Sequence, residues 1–220
     1  MFGWKSTLGK RDIFENANAT AVKSGLISGT KVATGMGWRP VEAIAAGDKV
    51  LTFDGGLQTI TKVSRVGLWS GQDHCPRQFW PLEVPAGALG NREVMRVLPG
   101  QNIMVESDAA EDLYGDPFTL MPAEAIEGLY GVARTPPECD VEVVVLLFAA
   151  DQVVFAENGA LFFCPAFADM VDAAFAEEAR PFYSVLSMDE ARFLAVQIKE
   201  EIGTACSNSS QDIWAAAVPA

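Results

Sequence analysis

The sequence predicts an all-β domain. Three observations point there. Apolar and polar residues alternate through short segments, glycines punctuate those segments roughly every eight to twelve residues, and helical spacing is confined to the last quarter of the chain. Alternation turns one face of each segment inward, and glycine permits the tight reversals that join them. With 220 residues and half of them hydrophobic, the chain can bury the core such a fold needs.

Residues 1–24 stand apart. They hold Lys5, Lys10, Arg11 and Lys23 against Asp12 and Glu15, a net charge of +2, with little apolar periodicity. They read as an arm preceding a main domain over 25–203, with 204–220 as a loose tail. Within the domain, Thr30 to Thr34 alternates as a strand and Gly35-Met36-Gly37 supplies a turn. Arg39 to Ile44 reads as a one-turn element. Gly47-Asp48 leads into Lys49 to Phe53, Asp54-Gly55-Gly56 reverses the chain, and Gln58 to Val63 returns as a strand. Residues 67–80 form an irregular edge with Gly71, Pro76, His74-Cys75 and three aromatics, Trp69, Phe79 and Trp80. Pro81 to Val84 and Glu93 to Leu98 are strands.

Glu106 to Asp112 is acidic and reads as a solvated loop. Met121 to Ile126 reads as a helical turn. Val141 to Phe148 and Gln152 to Ala156 make another hairpin, followed by the turn pair Asn158-Gly159. Ala166 to Ala179 and Met188 to Ile202 are predicted helices. Ser187 with Glu190 three residues on is the pattern of a capping box.

Composition excludes several functions. The net charge is −13 and the isoelectric point about 4.4, so phosphate backbones and anionic lipid are repelled; no nucleic acid and no membrane is expected as partner. The single histidine, His74, excludes any site with two histidine ligands. Cys75, Cys139, Cys164 and Cys206 form no Cys-x-x-Cys pair, so no zinc, metal or redox motif is indicated, and no cofactor is expected. The N-terminus lacks the apolar core of a signal peptide, and the longest apolar run, Val143 to Ala150, is too short to span a bilayer. The expected location is cytoplasmic, or outside the cell by a route without a cleaved leader.

Several motifs occur together and in order. Gly25 to Thr34 contains Ser28-Gly29-Thr30; Arg39-Pro40-Val41-Glu42 and Gly47 to Thr52 follow; then come Pro85 to Asn91, Gln152 to Ala160, and Arg180-Pro181 with Glu190-Ala191-Arg192. From about residue 25 to residue 195 this resembles the Hint (hedgehog/intein) domain family, in its bacterial branch. The resemblance implies a horseshoe of long strands and hairpins with short C-terminal helices. It also implies self-processing: a first-position thiol attacks the preceding carbonyl, and a histidine on a later strand protonates the leaving nitrogen.

Aligned on Gly29-Thr30, the family's cysteine falls on Gly25. The branch's Ser-Pro-x-His-Arg falls on Leu98 to Asn102, so Gln101 replaces the histidine, and a later family histidine falls on Asp151. Glycine has no nucleophile, and an amide does not shuttle protons near neutral pH. The 24 residues before Gly25 do not look like a domain awaiting release. The expectation is a catalytically inactive Hint-like module, not an enzyme, acting in protein–protein assembly or self-assembly. Trp4, Lys5, Lys10, Arg11, Trp69, Phe79 and Trp80 are its expected contacts. Two alternatives stand beside it: residual self-cleavage through Ser24 or Ser28 (or a displaced site using Cys75), and binding of a small ligand in a vacated cleft around Gly25, Gln101 and Asp151.

Overall fold

A computed structural model describes residues 13–16, 19–71, 74–137, 141–166 and 183–200. The chain opens with an antiparallel pair, β1 (Ile13–Asn16) and β2 (Ala19–Val22), in which Ile13 lies opposite Val22. Ala21 and Val22 are buried, and Val22 joins a cluster with Ile27, Leu68, Leu98 and Val143. The composition of residues 1–24 set them apart, but their last residues are packed into the body.

Next come β3 (Leu26–Ile27), β4 (Lys31–Thr34) and β5 (Gly37–Pro40), the last pairing with β4 from Lys31↔Pro40 to Thr34↔Gly37. The residues read as a turn and the start of a one-turn element thus include a strand; the 3-10 turn itself covers only Val41–Ala43. β6 (Lys49–Thr52) and β7 (Gly56–Thr59) form the expected hairpin. The chain then breaks at Ile60-Thr61, and β8 (Lys62–Gly67) enters a different sheet. Ile60 is buried and its N–H donates to the Asp48 carbonyl, while Thr61 N–H donates to Leu147, so the break is pinned to both sheets.

β9 (Leu82–Val84) and β10 (Met95–Val97) pair as expected. β11 (Asn102–Glu106) is followed by α1 (Asp108–Tyr114), where a solvated loop was expected. The Ser107 hydroxyl accepts from the Ala110 N–H at 3.1 Å, and Gly115 closes the helix at φ 77°. Asp108 and Glu111 sit in the first turn, where the helix dipole favours acid, and Ala109 and Ala110 are buried. Acidity there reflects a helix start.

β12 (Phe118–Pro122), a 3-10 turn at Ala123–Ile126 and β13 (Ala133–Arg134) lead to β14 (Glu142–Leu147), β15 (Gln152–Ala156) and β16 (Ala160–Cys164). β14 does not pair with β15 as a hairpin. It lies between β3 and β8, while β15 pairs with β16. The largest sheet runs β12-β11-β16-β15-β4-β6-β7, with β5 on β4; β10-β9-β13 and β3-β14-β8 are smaller sheets. The described strands span two to six residues each.

A last helix, α2, runs over 188–200. Its capping box is formed: the Ser187 N–H and hydroxyl donate to the Glu190 carboxylate at 2.8 and 2.7 Å, and the Glu190 N–H reaches back to the hydroxyl at 3.4 Å. Those bonds hold Glu190 below the usual carboxylate range. Ala191, Leu194, Ala195 and Ile198, at helical spacing, are buried in the main core with Val144, Leu146, Val154 and Phe162. Phe193 and Val196, expected on that face, point outward at 55% and 52% exposure. The other expected helix, Ala166 to Ala179, the tail at 204–220, and Trp4, Lys5, Lys10 and Arg11 lie outside the described residues. Among the described residues, no helix is long and apolar enough to cross a membrane.

Candidate functional site

The link between β2 and β3 lies against the turn between β10 and β11. The Gln101 N–H donates to the Leu98 carbonyl at 3.0 Å, closing that turn. Gly100 then donates its N–H to the Lys23 carbonyl at 2.8 Å. A Cβ on Gly100 would sit 2.9 Å from both the Lys23 Cβ and its carbonyl oxygen, so this approach requires glycine.

Gln101 completes the clamp. It is 2% exposed, and its side-chain Oε1 accepts from the Gly25 N–H at 2.9 Å and from the Ser24 hydroxyl at 3.2 Å. Its Nε2 donates to the carbonyls of Asn102 (2.9 Å) and Phe163 (2.8 Å). Carbonyls only accept, so the amide has one orientation that satisfies it: nitrogen toward β11 and β16, oxygen toward Gly25. The atom facing the Ser24–Gly25 peptide nitrogen is therefore an acceptor. It stabilises that N–H and carries no proton to give it.

Gly25 is buried at φ 128°, a conformation that favours glycine. A Cβ there would lie 2.5 Å from Val143 Cγ1 and 3.1 Å from Val145 Cγ2, so β14 fills the space a side chain would take. Gly25 and Gln101, 76 positions apart in sequence, are in direct contact, and no cleft separates them.

The family model described as the Hint domain matches residues 24–161, well over half of the chain. The chain belongs to the Hint domain family. The matched segment begins at the residue before Gly25 and ends within β16. No curated protein matches the chain. Three solved structures are similar to this Hint domain. A bacterial intein-like domain from Clostridium thermocellum is 15% identical, covers 63% of this chain and 97% of its own, and has a TM-score of 0.43. A splice-inactive variant of the AceL NrdHF class 3 split intein is 19% identical over 66% and 99%, at 0.38. The MchDnaB-1 intein is 14% identical over 62% and 98%, at 0.38.

The remaining residues singled out in this Hint domain are placed elsewhere. The Asp151 Oδ1 accepts from the Ala166 N–H at 2.8 Å. Asp48 accepts from the Ala45 N–H and lies 3.6 Å from Arg39, which makes it a turn residue. His74 is exposed. Burial pushes the Cys75 thiol up, and pushes that of the fully buried Cys164 up to about 12, so neither is an activated thiolate. Cys139 and Cys206 lie outside the described residues.

The aromatic trio packs against the domain. Phe79 is fully buried, and Trp69 and Trp80 are half-buried. Trp69 stacks on Phe79 with ring centres 6.0 Å apart, Trp80 Nε1 donates to the Cys75 carbonyl at 2.8 Å, and the Lys23 ammonium sits 5.5 Å from the Phe79 ring centre. Trp69 also bridges to Ala21. The loop folds down over the link that carries Ser24 and Gly25. Gly100 was the residue missed by sequence reasoning. Its signal was the Pro-Gly pair beside the expected histidine position.

Proposed function

We propose that this Hint domain keeps the Ser24–Gly25 peptide uncut and serves as a non-catalytic module of protein–protein assembly. The observation that carries this reading is the direction of the Gln101 amide. Proton transfer to a leaving nitrogen needs a donor facing it, and the group facing Gly25 N is a carbonyl oxygen whose own NH2 is committed to two backbone carbonyls. Ser24 shares that oxygen, which is no base, so its hydroxyl lacks the activation an attack requires. Without a thiol at 25 and a proton donor at 101, the chemistry implied by the family has neither of its two parts.

The decisive experiment is the mass of the chain under denaturing conditions after long incubation with a thiol or hydroxylamine. The expected result is one species of 23.6 kDa. A fragment ending at Lys23 or Ser24 that grows with nucleophile would overturn the reading.

The assembly half rests on exposed apolar side chains outside the aromatic loop. Met36 is 90% exposed at the β4–β5 turn; Leu51 and Leu57 face each other across β6 and β7; Leu57 packs 3.4 Å from where a Gly35 Cβ would lie. Together with Trp38 they form an apolar surface on two adjacent hairpins. In cells, chemical cross-links to partner chains are expected to fall on residues 35–59 and to be lost in the Leu51→Asp, Leu57→Asp double variant. Cross-links unchanged by that variant would remove the support for assembly through this surface.

A further inference from the structure

A groove of about 650 Å³ opens on the face of the largest sheet opposite the main core, away from Gly25 and Gln101. Phe53, Tyr114, Phe118 and Tyr183 contribute four aromatic rings to its wall, and Asp54 and Asp116 contribute two carboxylates. Among the described residues, no Lys, Arg or His lines it. We propose that this groove binds a small organic cation, an ammonium group carrying apolar substituents.

Three features argue for that class of ligand. The first is charge. Two carboxylates, with no cation among the described residues of the wall, repel anions and attract a positive group, and the surplus of acid over base in the whole chain acts in the same direction. The second is the rings. Their faces carry partial negative charge and hold an ammonium whose substituents shed water against them. Phe53 and Phe118 are set at 57° with centres 5.1 Å apart, so they present two differently tilted walls. Phe53, Phe118 and Tyr183 are only partly buried, packed on a small cluster of Met104, Leu120 and Val153. They are apolar surface left accessible within the groove. The third is size. The volume lies within the range of small-molecule sites and exceeds what a lone ammonium fills, which leaves room for an apolar stem.

The carboxylates are held by bonds that do not consume them. Burial, together with the hydrogen bond that its hydroxyl donates to Asp54, pushes the Tyr183 pKa up, and that bond fixes the carboxylate over the groove. Asp116 Oδ1 accepts the Phe118 N–H at 2.9 Å, directly after the Gly115 close of α1, which also places Tyr114. Each carboxylate oxygen has two lone pairs, so each group keeps capacity for a cation.

The test uses the full chain with choline as probe and 3,3-dimethylbutan-1-ol as its neutral isostere, read by calorimetry. Asn at 54 and 116 still accepts the two hydrogen bonds, so the Asp54→Asn, Asp116→Asn double variant removes charge and spares the fold. Choline is expected to bind at least about tenfold tighter than the alcohol, and to lose about tenfold or more in the double variant. Phe118→Leu is expected to weaken choline more than the alcohol, and Glu93→Gln, outside the groove, to change neither. Equal binding of the two probes overturns the proposal. So does the absence of saturable choline binding up to about 20 mM, or binding that survives the double variant.

Discussion

Replacing Gly25 with cysteine is expected to destabilise the domain by about 2–6 kcal/mol and to restore no cleavage, alone or with Gln101→His. Two costs add. At φ 128° a residue with a Cβ is strained, typically by about 1–3 kcal/mol. The Cβ would also meet Val143 Cγ1 at 2.5 Å in a packed interior, where overpacking costs about 1–3 kcal/mol. Val143 is fully buried between Val66 of β8 and Ile27 of β3, so it has nowhere to retreat. Adding Val143→Ala is expected to recover the steric part and leave the strain. Urea unfolding of the single and double variants separates the two, and denaturing mass spectrometry reads cleavage. A Gly25→Cys chain as stable as the parent, or one that fragments, would show that the site is still built for a nucleophile.

The second large effect is expected at Arg134. Its side chain is 6% exposed, and its guanidinium spends itself on four acceptors: Glu124 and Glu127 at 2.8 Å each, and the carbonyls of Arg77 and Gln78 at 3.3 and 3.1 Å. It ties the 3-10 turn at Arg77–Phe79 to the one at Ala123–Ile126. Arg134→Met is expected to cost about 3 kcal/mol, the lower end for a broken buried pair because the two carboxylates are a third exposed. Arg134→Lys should recover only part of it, since one ammonium does not reproduce a fork aimed at four oxygens. The exposed Lys31–Glu93 pair at 3.3 Å is the internal comparison, with a contribution of about 0–1 kcal/mol. Chemical denaturation measures both; equal losses at the two sites would contradict the clamp.

What the sequence made legible was local, or was carried by family order. The Ser187–Glu190 box and the β6–β7 hairpin are set by residues three to ten positions apart, and both formed. The Gly25–Gln101 contact has no local signature, yet the order of several weak motifs placed both residues correctly enough to meet. The failures share a cause in tertiary context. Charge concealed α1, although Ser107 and Gly115 marked its two ends. Val143 to Leu147 looked like half a hairpin because β15 follows it, but its partners β3 and β8 lie far off in sequence. The groove at Phe53 and Phe118 joins two strand ends that no periodicity connects.

Val22 and Ile27 share one buried cluster, and they stand on opposite sides of the Ser24–Gly25 bond. A domain that discards its leading segment must let that segment diffuse away once the bond is broken. Here both ends would remain anchored, by Val22 on one side and by the β3–β14 pairing on the other, with the freed amine beside the carbonyl it left. Departure would require that cluster to open. Retention of residues 19–24 is therefore a property of the packing, independent of whether the peptide bond survives, and a size measured on the folded protein reports on that packing alone.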